Sequence, residues 1–267
     1  MAVLLGNIDF ENGTDGAAIT TSNETSFNTV TGTWTFSSGQ VLTGAGGGSL
    51  SAKLVSTGTA NILGNAGKLW TSSTKIYYRY YWYCDVFTSA TTSLSTWRQG
   101  ASTLVSDGPR ITTAGVVQIR NSSSVVIASS ASGFIVSGLW YRFEGMVDAT
   151  NAQAQMKVFK GSNVNGSTPD YDTGVVTSTM GSATAIDNMT IGHVNAATAT
   201  SYFDNLQVND ATSSWVGSIY TPPSGGNIKV WNGSAWVAKP VKVWNGSAWV
   251  IKPAKKWNGS AWVVTPY

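Results

Sequence analysis

KIYYRYYWYCDVF, residues 75–87, decides the fold class. Aromatic and β-branched side chains fill it almost without a break, and nothing in it repeats at helical spacing. Such a run forms a strand covered on both of its faces, or one shared between two packed sheets. Working outward, Trp140–Val147 alternates: Tyr141, Phe143, Gly145 and Val147 take one side, with Arg142, Glu144 and Met146 on the other. Further strands are expected at Thr33–Phe36, Gly48–Val55, Val116–Arg120, Val125–Ala128, Gln153–Lys160, Met189–His193 and Tyr202–Val208, separated by Gly, Asn, Ser and Asp clusters. Many short strands with almost no helical periodicity predict an all-β, antiparallel sandwich.

The chain has 267 residues and only 11% charged residues, with 42% hydrophobic ones, so it does not have the composition of a disordered chain. A lone cysteine, Cys84, excludes an intrachain disulfide framework and a Cys-based zinc site. A lone histidine, His193, excludes a His-cluster metal site and leaves little for histidine catalysis. The opening MAVLLGNIDF lacks a cationic segment and a long apolar run, so no signal peptide is expected. No stretch approaches the length of a membrane-spanning helix, and no membrane insertion is expected.

From Lys229 onward the sequence changes in kind. KVWNGSAWVAKP, KVWNGSAWVIKP and KKWNGSAWVVTP follow one another at a 13-residue period. Each unit reads as a minimal hairpin. With Gly233-Ser234 as a type II′ turn, Trp231 faces Trp236 and Val230 faces Val237; with Asn232-Gly233 as a type I′ turn, Trp231 faces Ser234. The first buries more matched surface and is preferred. Trp244 and Trp249, and Trp257 and Trp262, are the equivalent pairs. Pro240, Pro253 and Pro266 close the units. The tail holds six lysines and no acid, leaving ten basic and thirteen acidic residues in the rest of the chain. TPPSGG (221–226) combines stiff and loose residues and reads as a linker, and GAGGGS (44–49) as a flexible connection or a place of close backbone approach. The expected organisation is a sandwich over 1–220, a linker over 221–227 and a Trp-rich hairpin module over 228–267. Hairpins this short are marginal alone, so the six tail Trp residues are expected to dock on a partner or to oligomerise, with a trimer favoured.

Three segments resemble concanavalin A-like, laminin-G-type jelly rolls: SGLWYRFEGMVDATNAQAQMKVFKGSN (137–163), IDNMTIGHVNAATATSYFDNLQVND (186–210) and IDFENGTDG (8–16). The WNGSAWV repeats resemble the Trp-Asn-Gly repeats at the ends of bacteriophage structural proteins, especially minor tail and head-surface proteins of phages infecting Gram-positive bacteria. The first resemblance implies a lectin-like sandwich. Its first and last strands pair in such folds, which makes Asp9, Glu11 and Asp204 the residues for a structural Ca²⁺. The second implies a virion surface protein with other virion proteins as partners.

Fold relatives of this type include glycosidases, which need two carboxyl groups about 5–9.5 Å apart. No Glu-x-Asp-x-x-Glu run is present; Glu144 and Asp148 are the nearest pair, with Glu144 expected to face solvent. No Gly-x-Ser-x-Gly elbow accompanies His193, and Cys84 reads as a buried small hydrophobe. A glycan platform is expected at Trp97, Arg98 and Gln99, in a Gly/Ser-rich loop, and at Asp170 and Tyr171. Lys beside Trp in the tail would suit nucleic acid, but a tail so regular and free of Arg reads as architectural, and no nucleic-acid partner is expected. The expectation is therefore a non-enzymatic virion protein meeting host-surface glycans. A secreted or cell-wall carbohydrate-binding module is the alternative, and a glycan-degrading enzyme the third reading.

Overall fold

The computed structural model describes residues 4–42, 48–66, 70–100, 103–210 and 215–219, and in the tail 227–231, 233–234, 236–240, 242–251, 255–257 and 262–264. The strands before the tail are β1 (Leu4–Ile8), β2 (Thr29–Val30), β3 (Thr33–Ser37), β4 (Ser51–Ala66), β5 (Lys75–Val86), β6 (Thr92–Ser93), β7 (Ser95–Gln99), β8 (Thr103–Ile111), β9 (Val117–Asn121), β10 (Val126–Ser129), β11 (Leu139–Asp148), β12 (Gln153–Lys160), β13 (Tyr171–Asp172), β14 (Val176–Thr177) and β15 (Asn188–Asn209). One 3₁₀ turn, Gly161–Asn163, is the only helical element among the described residues. No helix there is long and apolar enough to cross a membrane.

All pairings are antiparallel, and the hydrogen-bonded order runs β10-β9-β8-β7-β15-β5-β11-β12-β13. Two long strands, β4 and β15, carry this path through both layers of a jelly-roll sandwich. The first part of β15 (Asn188–Ile191) pairs with β7, and its last part (Thr200–Asn209) with β5. β4 accompanies its Asn188–Phe203 stretch, with register shifts between His193 and Ala197 and between Ala197 and Thr198, and β1 takes over along Leu206–Asn209. The layers meet face to face: the Trp97 ring on β7 lies 4.4 Å from Tyr78 on β5, and Tyr80 Oη donates to Ser95 Oγ at 3.4 Å. Met189–His193 and Tyr202–Val208, expected as separate strands, are thus one strand crossing between layers.

The core follows from alternation. Ile76, Tyr78, Tyr80, Trp82 and Cys84 of β5 point inward, all buried, against Tyr141, Phe143 and Val147 of β11. Gly145 breaks this apolar row because the Tyr78 ring fills the place of its side chain; a Cβ there would lie 2.1 Å from the ring. β5 is covered on its second face too, as its composition requires. Tyr81 and Arg79 are buried there. The cover is not a second sheet but two irregular segments, 161–166 and 215–218.

Met1–Thr43 and Gly47–Ser218 form one compact unit, and the chain from Ile219 onward belongs to a second. The expected linker, as far as Gly226, and residues 44–47 of the glycine-rich connection lie outside the described residues. The tail forms three separate hairpins: β16 (Asn227–Trp231) with β17 (Trp236–Pro240), β18 (Lys242–Trp244) with β19 (Trp249–Ile251), and β20 (Lys255–Trp257) with β21 (Trp262–Val264). Each pairs Trp with Trp, the register that a Gly-first turn gives. In the second hairpin Asn245 N–H donates to Ala248 O at 3.0 Å, and Gly246 has φ +102°, a conformation that glycine supplies without strain. Asn245 Oδ1 accepts from Ser247 N, Ser247 Oγ and Ala248 N, locking the turn. Pro240 ends β17; Pro253 and Pro266 lie outside the described residues.

Candidate functional site

The expected glycan platform does not assemble. Trp97 is on strand β7 and fully buried between the Tyr78 and Trp70 rings. The local Gly and Ser residues suggested a loop, but Ser95 and Trp97 alternate into the core and the strand completes the layer. Its neighbours serve the frame: Arg98 O accepts from Asp187 N at 3.1 Å, and Gln99 Oε1 from Thr184 N at 2.9 Å. Asp170 and Tyr171 sit at the far edge of the other layer. Asp170 Oδ2 accepts from Lys160 N and Asn163 Nδ2, both at 2.9 Å, closing the loop after β12. Tyr171 packs its ring on Phe134, centroids 5.8 Å apart.

β1 and β15 do pair, and Glu11 and Asp9 add, after burial, to the rise of the Asp204 pKa. Among the described residues no group of three His, Cys, Asp or Glu side chains is arranged to hold a metal ion. Glu11 is engaged by Ser49 N, Ser49 Oγ and Leu50 N, each at 2.9 Å. Asp9 Oδ1 accepts from Glu11 N at 3.3 Å. Asp204 Oδ1 caps Asn205 at 2.7 Å, while its Oδ2 is buried without a hydrogen bond. Burial pushes the Asp204 pKa well above the usual carboxylate range, the direction in which the acid keeps its proton.

Glu144 is buried, not solvent-facing. Burial raises its pKa, against the pull of Arg142 and Arg79. Arg142 Nε lies 2.8 Å from Glu144 Oε1, close as an ion pair but not aligned as a hydrogen bond. Asp148 holds Asn151 through two 2.9 Å bonds and pairs with Lys75 at 3.3 Å. Burial works to raise its pKa, and these partners outweigh it to leave the carboxyl below its ordinary value. Four residues along a strand separate Glu144 from Asp148 by about 13 Å, beyond glycosidase spacing. His193 Nε2 is 3.1 Å from Ser201 Oγ, but both are sealed in the interior, and burial alone takes the histidine down to about 4. Cys84 is likewise buried, its thiol pushed up to about 12 by burial.

The outer face of β5 and β11 tells more. Its charged residues fasten the two covering segments. Arg142 donates to Val164 O at 2.7 Å and to Gly166 O at 2.8 Å, with its guanidinium 3.6 Å over the Phe159 ring. Arg79 donates to Gly217 O at 3.1 Å and to Gln207 Oε1 at 3.2 Å. Trp215 is held edge-on to Tyr77 and under Lys157 Nζ, 3.9 Å from its ring. Beyond these covers one end of the face stays open. There the register sets Trp140 opposite Tyr83, ring centroids 5.5 Å apart at 58°, and Tyr202 closes on Tyr83 from the other side at 5.9 Å. Trp140 and Tyr83 are half-buried and form one wall of a groove of about 250 Å³ with Leu42, Leu139, Val164 and Asn165. Asn165 Oδ1 is occupied by the hydroxyls of Tyr81 and Ser218, at 3.2 and 2.8 Å. That leaves its amide N–H groups, with the Trp140 indole N–H, free of acceptors among the described residues. Aromatic faces with a few fixed donors are the makings of a small-molecule site. Alternation put Arg142 and Glu144 on one side of this strand; that Trp140 shares that side and meets Tyr83 across the strands was the missing step.

No family model matches this sequence, and no curated protein matches it. Among solved structures it is similar to Trypanosoma rangeli sialidase, at 10% identity and a TM-score of 0.47 over 76% of this chain and 30% of that one. It is also similar to the carbohydrate esterase of the Shiga toxin-encoding bacteriophage phi24B (12%, 0.42, 79% and 99%). A third is the catalytic domain of a GH131 β-glucanase from Podospora anserina (12%, 0.40, 66% and 77%). The chain spans under a third of the sialidase's length. These likenesses are of fold: a β-sandwich of the kind seen in carbohydrate-active proteins. The expectation of a non-enzymatic protein is corrected here: the three proteins named are enzymes. The absence of one carboxylate motif was too narrow a ground to exclude catalysis.

Proposed function

We propose that this chain is a glycan-binding protein of a bacteriophage particle. The sandwich meets a host-surface glycan in the Tyr83–Trp140 groove, and the Trp hairpins dock on other virion proteins or on sister copies. The observation that carries the glycan reading is the half-buried Tyr83–Trp140 pair beside amide and indole donors with no acceptor among the described residues. A sugar ring offers C–H groups to the aromatic faces and hydroxyl oxygens to the donors. Support for the docking reading is the tail itself: three identical WNGSAWV units and, in the second, Trp244 and Trp249 exposed at 51% and 66%. Large exposed aromatic pairs mark partner surfaces.

Full-length protein and its Trp140→Ala variant, applied to an array of bacterial surface glycans, test the first half. Saturable binding that weakens at least about tenfold in the variant is expected; equal binding by both sinks the assignment of the groove. Light scattering tests the second half, where a solution mass three times 28.1 kDa is expected. A monomer mass at all concentrations removes self-association and leaves docking on another protein.

A further inference from the structure

Asn165, in the lining of the Tyr83–Trp140 groove, is held from three directions. Its two chain neighbours are clamped by one buried guanidinium: Arg142 of β11 donates to Val164 O at 2.7 Å and to Gly166 O at 2.8 Å. Gly166 N–H closes the loop on Asn163 O at 2.8 Å. The side chain is fixed separately. Tyr81 of β5 and Ser218, at the end of the covering segment 215–218, both bring hydroxyls to Asn165 Oδ1, at 3.2 and 2.8 Å. Ser218 is anchored in turn, because Arg79 donates to Gly217 O at 3.1 Å and Trp215 is held by Tyr77 and Lys157. Parts of the chain distant in sequence thus converge on one amide.

That convergence decides what the amide offers. A side-chain amide has an accepting oxygen and a donating nitrogen. A phenol hydroxyl donates more readily than it accepts, so Tyr81 selects the oxygen, and Ser218 joins it there. The oxygen is used on the covered side, and the N–H groups of Nδ2 have no acceptor among the described residues. A donor fixed in advance loses little freedom when a ligand arrives, and a ligand donor in the same place would set N–H against N–H. We infer that Asn165 sets the specificity of the groove as a fixed donor, and that Ser218 and Tyr81 are positioning residues acting through it. The ligand class is a glycan with an accepting oxygen at this point, a hydroxyl or an acetamido carbonyl, and not one with a free ammonium group there. Resting on the glycan reading of the groove, this assignment adds the sign of its polar contact.

Calorimetry on the full-length protein with cellotetraose, maltotetraose, xylotetraose, chitotetraose and fully deacetylated chitotetraose tests it. At least one uncharged probe is expected to bind, and the deacetylated one at least about tenfold more weakly than the best of them. Asn165→Ala is expected to weaken the best probe about fivefold, the worth of one hydrogen bond. Asn165→Asp keeps an oxygen for both hydroxyls but puts an acceptor where the donor was, and is expected to cost at least about tenfold. Ser218→Ala is expected to cost about threefold alone and nothing further in the Asn165→Ala background, with Ser218→Thr near native. Urea unfolding of each variant separates a lost contact from a lost fold. Native-like binding by Asn165→Asp, or deacetylated chitotetraose as the tightest probe, overturns the donor assignment while leaving the groove standing. No loss from Ser218→Ala, or an equal loss on both backgrounds, overturns the positioning role. Absence of binding by every probe overturns the glycan reading itself, and this assignment with it.

Discussion

Tryptophan has opposite fates in the two regions of this chain. In the sandwich Trp34, Trp70, Trp82 and Trp97 are buried, each within ring contact of another aromatic side chain or wedged between layers. In the second tail hairpin Trp244 and Trp249 face each other across two strands, 5.9 Å apart, and remain largely exposed. The residue type is the same; the number of layers differs. A sandwich has a second sheet to receive an indole, and a two-stranded hairpin has only the opposite strand. These four tryptophans therefore build the fold of the sandwich, while the pair of this hairpin is offered outward.

The sharpest way to break this contrast is Trp97→Ala. The ring lies between Tyr78 and Trp70 with no exposure, so its removal leaves a large cavity where the layers meet. A loss of about 3–5 kcal/mol is expected, read from urea unfolding followed by a signal of the sandwich. A loss below about 1 kcal/mol would show that the two layers are not held together there.

Acid sharpens it next. His193 is buried in the sandwich, and the described hairpin residues contain no group that titrates between pH 4 and 7. Burial lowers the histidine from 6.5 to about 4. The unfolded chain thus takes up a proton at a higher pH than the native one does. Stability from this group is complete above pH 6.5 and falls as pH drops toward 4, by about 3 kcal/mol at most. Glu144 and Asp204, both raised by burial, act in the reverse sense through the carboxylate range. The useful measurement is therefore the difference between the native protein and His193→Phe across that window. Parallel stability curves would mean that the histidine is accessible to protons without unfolding.

How far the sequence carried these distinctions depends on the kind of signal. Alternation in Trp140–Val147 gave both faces of β11 correctly, and the double coverage of β5 was legible in its composition. The Trp–Trp register followed from where a glycine can turn the chain. What failed was the step from local composition to surroundings. Ser and Gly around Trp97 suggested an exposed loop, whereas the residue is covered by β5, nineteen positions earlier at Tyr78. Glu144 was expected in solvent because nothing local to it shows that residues 215–218 return to cover that face. The groove at Tyr83 and Trp140 needs the same long-range knowledge, since it is defined by where those covers end. Each error concerns a neighbour distant in sequence, and none concerns the alternation itself.

The smallest stability effect belongs to the hairpins, and it tests the other half of the contrast. Replacing both Trp244 and Trp249 with Ala removes an aromatic pair worth about 0.5–1.5 kcal/mol to its own hairpin. The sandwich belongs to a separate compact unit, so its unfolding midpoint is expected to stay within about 0.5 kcal/mol of the native value. Near-ultraviolet circular dichroism would report the lost pairing directly, because a tilted indole pair at 5.9 Å gives coupled bands that vanish with either ring. A sandwich destabilised by several kcal/mol would mean that these rings are part of its core in solution, and tryptophan would then have one role in the chain, not two. An unchanged sandwich together with a reduced solution mass would instead assign the exposed indoles to contact between copies.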